Sequence, residues 1–109
     1  MKWAEIVRLR TMPGDGLTDR IIDLAGMFKK SPGLIESRVY ENAEYQGDLS
    51  VCLFWETESS RSQGSEAAFQ IRQALKKLGL VDHTVWIDLA KRSAGKALVK
   101  VQEGRTQSP

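Results

Sequence analysis

The stretch Val51–Arg61, VCLFWETESSR, decides how this chain is read, because it is apolar on odd and even positions alike and then stops abruptly at Trp55-Glu56-Thr57. A short run without alternation reads as a strand covered on both faces, and the serines behind it read as the cap or link of the next element. Working outward, three more runs carry strand signals. Trp3–Arg10 opens the chain, Leu34–Glu41 lies midway, and His83–Leu89 follows later, while the quoted stretch itself belongs to a strand over Leu49–Glu56.

Two helical stripes lie between these strands. Leu17, Ile21, Leu24, Ala25 and Phe28 recur at helical spacing, and Ala67, Ile71, Ala74, Leu75 and Leu78 repeat the same offsets. Thr18 or Asp15 is placed to cap the first helix, and Ser31-Pro32-Gly33 stops it; Ser65 is the expected N-cap of the second and Gly79 its terminator. The order is βαββαβ, with the link ENAEYQGD short enough for a hairpin between the middle strands. Right-handed crossovers put both helices on one face of the sheet. The expected class is therefore α+β, a ferredoxin-like antiparallel sheet of four strands with two helices on one face.

The composition excludes several classes. The chain has 109 residues, 41% of them apolar and 28% charged, and no apolar run approaches a membrane span of roughly 20 residues. Charges inside MKWAEIVRLR interrupt any secretory signal, and Cys52 is the single cysteine, so the expected setting is the cytoplasm, without disulfides. The net charge of +2 is uneven: residues 91–109 carry five basic side chains against Glu103, which is +4, leaving −2 for the rest. The expected division is a domain over 1–90 and a basic C-terminal extension over 91–109, partly disordered or adding an edge strand through Ala97, Val99 and Val101. A basic face on the folded part is lacking, so nucleic acid is not an expected partner, and neither is a membrane.

The two faces of the sheet differ. Odd positions, among them Val7, Leu9, Ile35, Val39, Val51, Leu53, Trp55, Val85 and Ile87, form the helix-facing layer. Even positions mix aromatics with charges: Arg8, Glu36, Arg38, Tyr40, Cys52, Phe54, Trp86 and Asp88. Large aromatics bury about 150–250 Å² each, so three of them on one open face call for a cover, and a second copy of the chain is the expected one.

The βαββαβ order, the Pro32-Gly33 ahead of the second strand and the strand ending Phe54-Trp55-Glu56-Thr57 together resemble the dimeric α+β barrel superfamily, in the subgroup named for antibiotic biosynthesis monooxygenases. The resemblance covers residues 1–90. It implies a homodimer and a cleft for a small aromatic or polyketide-like compound. It also implies a reaction class, cofactor-independent monooxygenase or isomerase; the alternative is a non-catalytic ligand-binding or interaction protein of the same fold. The haem-degrading branch pairs a tryptophan at the end of the third strand with an asparagine on the first and a histidine on the second helix. Here Trp55 matches, whereas the asparagine position falls near Val7 and the second helix has no histidine. No cofactor and no metal are expected.

Within that expectation His83, Asp88 and Glu36 are the candidates to move a proton. Arg8, Arg38, Tyr40, Phe54, Trp55 and Trp86 are the candidates to hold substrate. His83, the only histidine, is the candidate general base or pH-sensitive ligand. Arg8 and Arg38 suit an anionic group, and the aromatics suit a planar one. Each has an ordinary structural reading as well: Arg8 pairing Asp88 across neighbouring strands, His83 bonding a turn, and the aromatics forming a dimer core. Cys52 in mid-strand reads as buried and inert, and MPGDG, without a following Gly-Lys-Ser/Thr, as a turn.

Overall fold

The computed structural model describes residues 1–89. The elements are β1 (Lys2–Arg10), α1 (Leu17–Gly26), β2 (Leu34–Glu41), β3 (Asp48–Glu56), α2 (Glu66–Leu75) and β4 (Leu80–Ile87). The four strands make one antiparallel sheet in the order β2-β3-β1-β4. Trp3, Val7 and Leu9 of β1 and Leu49, Val51, Leu53 and Trp55 of β3 share one core with Leu17, Ile21 and Ala25 of α1 and Ala67, Ala68, Ile71 and Leu75 of α2. Both helices therefore cover the odd-numbered face, and the fold is ferredoxin-like α+β. Among the described residues no helix is long and apolar enough to cross a membrane.

Local differences from the sequence reading have physical causes. Strand β4 begins at Leu80 rather than His83, because the chain turns at Gly79 and can pair at once, Leu80 opposite Arg10. Strand β2 carries a bulge: Leu34 lies opposite Trp55 and Glu36 opposite Phe54, with Ile35 as the extra residue. Leu34 thereby takes the core position expected of Ile35, which is left 55% exposed. Helix α1 has Gly16 at its N-cap and no side-chain cap, so neither Thr18 nor Asp15 serves; Ser65 caps α2 as expected, its hydroxyl accepting from Ala68 N. The basic segment 91–109 lies outside the described residues.

The outer face of the sheet is organised in rows across the strands. Trp86, Ala4, Phe54 and Glu36 form one, and Thr84, Ile6, Cys52 and Arg38 the next. Beyond them lie Asp82, Arg8, Ser50 and Tyr40, so the apolar end and the charged end are distinct.

Candidate functional site

The charged residue that organises the helix side is Glu5. It sits in the apolar stripe of β1 between Trp3 and Val7 and is fully buried, at 0% exposure. A carboxylate in such a place is tolerable only if its lone pairs are occupied, and all its partners come from distant parts of the chain. Trp55 Nε1 donates to Oε2 at 2.7 Å, Ser65 N to Oε1 at 2.9 Å and Ser65 Oγ to Oε2 at 2.5 Å, while His83 Nε2 lies 2.8 Å from Oε1. Three of these donors are unambiguous. Trp55 Nε1 and Ser65 N carry fixed hydrogens, and the Ser65 oxygen already accepts from Ala68 N, so its hydrogen turns to Glu5. Four contacts on two oxygens suit an ionised carboxylate, which assigns the His83 contact as an Nε2–H donating to Glu5.

Gly64 makes this packing possible. Its φ of +90° lies in the left-handed region, and a Cβ there would sit 2.4 Å from His83 Cε1 and 2.5 Å from Glu5 Oε1. The backbone thus lies flat against the pair. The His83 side chain is 9% exposed, and its Nδ1 makes no hydrogen bond among the described residues.

Two concavities meet over this centre. One, of about 410 Å³, opens between the helices and the end of the sheet and is lined by Trp3, Phe28, Pro32, Trp55, Thr57 and Gln70. Its floor is rigid: the Trp3 and Trp55 rings stack 5.6 Å apart at 18°, Trp3 Nε1 donates to Thr57 Oγ1 at 2.8 Å, and Trp55 Nε1 is held by Glu5. The other, of about 570 Å³, is lined by His83, Gly64, Phe69, Arg72 and Gln63. Arg61, Ser65 and Glu66 border both. Arg72 stacks over Phe69 at 5.8 Å, and its buried Nε has no hydrogen-bond partner. The Arg61 guanidinium makes no ion pair among the described residues.

The sequence candidates divide between the faces. Trp55 and His83 are brought together through Glu5 on the helix side. Arg8, Arg38, Glu36, Tyr40, Phe54 and Trp86 lie on the outer face, separated from them by the sheet. Arg8 does not pair with Asp88. Its guanidinium takes Asp48 at 3.1 Å through both Nε and Nη2, because antiparallel register puts Asp82 opposite Arg8 and carries Asp88 to the far end, where its amide bonds Lys2 O. Arg8 and Asn42, with Arg10 adding a weaker contact, hold the Asp48 carboxyl well below the usual range, at about 2. Glu36 is engaged by Arg38 at 2.6 Å. Burial pushes the Cys52 thiol up. A third, wider groove of about 820 Å³ runs along the β2–β3 hairpin, but the charge buried at its base, Asp48, is already taken up by these arginines.

Solved structures with this arrangement of elements are known. SnoaB, a cofactor-independent oxygenase from Streptomyces nogalater, matches with a TM-score of 0.62 at 12% identity, over 80% of this chain and 92% of that one. The fold is that of the antibiotic biosynthesis monooxygenase-like proteins. Rv0793 from Mycobacterium tuberculosis matches at a TM-score of 0.61 and 20% identity, over 82% and 96% of the two chains. A candidate antibiotic biosynthesis monooxygenase from Deinococcus radiodurans matches at 0.58 and 15%, over 81% and 92%. No protein-family profile matches the sequence. No curated protein matches it either.

Proposed function

We propose that the protein is a cofactor-independent monooxygenase or isomerase acting on a small aromatic or polyketide-like compound in the helix-side cleft. The observation that carries this reading is His83, held on a buried carboxylate with its second ring nitrogen unengaged, in a cavity that shares Arg61, Ser65 and Glu66 with a neighbouring one floored by two stacked tryptophans. A ligand that spans the shared border meets a largely buried aromatic floor on one side and a proton acceptor on the other. Without a cofactor, oxygen must take its electrons from the substrate, which becomes a sufficient donor only after losing a proton; an isomerase needs the same proton transfer. The likeness to SnoaB, itself a cofactor-independent oxygenase, supports the reaction class.

In this reading the outer face, with Phe54 and Trp86, meets a second copy of the chain, and the ion pairs of Arg8 and Arg38 are structural. Oxygen uptake with a panel of hydroxylated polycyclic aromatics tests it. Uptake lost in His83→Ala and kept in Arg8→Ala puts the chemistry on the helix side, and the reverse moves it to the outer face. Tight binding across the panel with no uptake and no isomerised product supports instead a ligand-binding protein.

A further inference from the structure

We infer that Glu5 is a positioning residue that makes Nδ1 the proton-accepting atom of His83, and that Arg72 takes the negative charge so formed on the ligand. The inference rests on the reading of the helix-side cleft as a ligand site and names two residues that reading does not require.

A neutral imidazole has one N–H and one lone pair, and whichever nitrogen donates to a fixed acceptor leaves the other as the base. Glu5 Oε1, 2.8 Å from Nε2, is such an acceptor. It cannot turn away, because Ser65 N, Ser65 Oγ and Trp55 Nε1 hold its two oxygens in place. Gly64 lies against the ring and closes off its Nε2 side. The lone pair is thereby left on Nδ1, which makes no hydrogen bond within the described chain while the ring lines the cavity.

When a ligand hydroxyl approaches Nδ1, its O–H bond breaks, an Nδ1–H bond forms, and the electron pair stays on oxygen. The imidazolium that results has a carboxylate already in contact, so no charge is left uncompensated on the protein side. The oxyanion needs its own partner, and the cavity supplies one. Arg72 lines the cavity and its guanidinium makes no ion pair among the described residues, so its charge is available to an anion there. The charged groups facing the space are Arg61, Arg72, Glu66 and the Glu5–His83 pair; Glu66 is engaged by Gln70 at 3.2 Å.

Two measurements on the full chain test this. Long-range ¹H–¹⁵N correlation reports which nitrogen of His83 carries hydrogen, without substrate. The wild type should show Nε2–H with a bare Nδ1, and Glu5→Gln should show a mixture. An Nδ1–H ring in the wild type overturns the inference whether or not the variant folds. The second uses 4-nitro-1-naphthol, whose anion is coloured, against 1-nitronaphthalene, which has no hydroxyl. Below the free probe's ionisation midpoint, wild type should bind the naphthol as its anion, and the ionised fraction should fall at least tenfold in His83→Gln and in Arg72→Leu. Naphthol that binds and stays neutral, with 1-nitronaphthalene also bound, overturns the inference and spares the cleft. Failure of both probes to bind removes the cleft reading and the inference with it.

Discussion

Removing the Glu5 carboxylate should cost far more than the loss of one side chain's contacts, since Glu5→Ala strands Ser65 N, Trp55 Nε1 and His83 in the interior together. Each buried donor left without a partner costs about 1–3 kcal/mol, so urea unfolding should show a loss of at least about 3 kcal/mol. Glu5→Gln, which keeps an acceptor oxygen, should lose less. Asp48 gives a pH dependence of known sign. Its carboxyl titrates near 2 in the fold and near about 3.9 when unfolded, so its pairing with Arg8 stabilises above the unfolded value and is lost as pH falls from about 4 toward 2. Unfolding midpoints measured from neutral pH down to about 2 should fall more steeply in wild type than in Asp48→Asn; parallel curves would contradict the assignment. Cys52, buried and with its thiol shifted upward, should react with a thiol reagent at neutral pH only as fast as the protein opens. At this scale the sequence exposed His83 and Trp55 as candidates but hid Glu5. A carboxylate inside an apolar stripe gives a local signal, yet its partners Ser65 and His83 stand 60 and 78 residues away, and no periodicity reports such a distance.

Among the elements, the loop from Thr57 to Ser65 sets the geometry of the cleft, because it delivers Gly64 against the histidine and Ser65 to the start of α2. Gly64→Ala should be the most disruptive single-methyl change in the loop. It adds left-handed backbone strain, of order 1–3 kcal/mol, to a collision with His83. A lowered melting temperature together with a displaced His83 ring resonance would confirm it, and a ring resonance at its wild-type position would sink it. The helices were legible because each has a clear period and an apolar stripe, β1 and β2 because their strand-like runs are bounded by turn residues, and β3 because its apolar run lacks alternation and stops abruptly. The bulge in β2 was not, because Leu34 and Ile35 are both apolar and either could face inward. The start of β4 was hidden for a related reason: Leu80 is 77% exposed and pairs through its backbone alone, so its side chain carries no inward signal.

For the whole molecule, the outer face predicts assembly. Trp86 and Tyr40 are half-exposed at 57% and 50% on a face that no described element covers, and its apolar rows suit a second copy. Sedimentation equilibrium should give a dimer for wild type and a monomer or an unfolded chain for Trp86→Asp; a stable wild-type monomer at micromolar concentration would refute the proposal. The overall architecture was readable from element order and crossover handedness, whereas the division of the candidate residues between the two faces became clear only with strand register. The Glu5 centre also has a consequence for how the molecule comes into being. Its bonds join the first strand to the end of the third, the start of the second helix and the last strand, at separations of 50, 60 and 78 residues. Contacts that span most of a chain form late, after the entropy of closing the large loop has been met. During synthesis the carboxylate leaves the ribosome long before His83 does, so a nascent chain can collapse around β1 and α1 with no competent centre. Ligand affinity should therefore arise in the final cooperative step of refolding, together with native Trp55 fluorescence, and a chain truncated before His83 should have none.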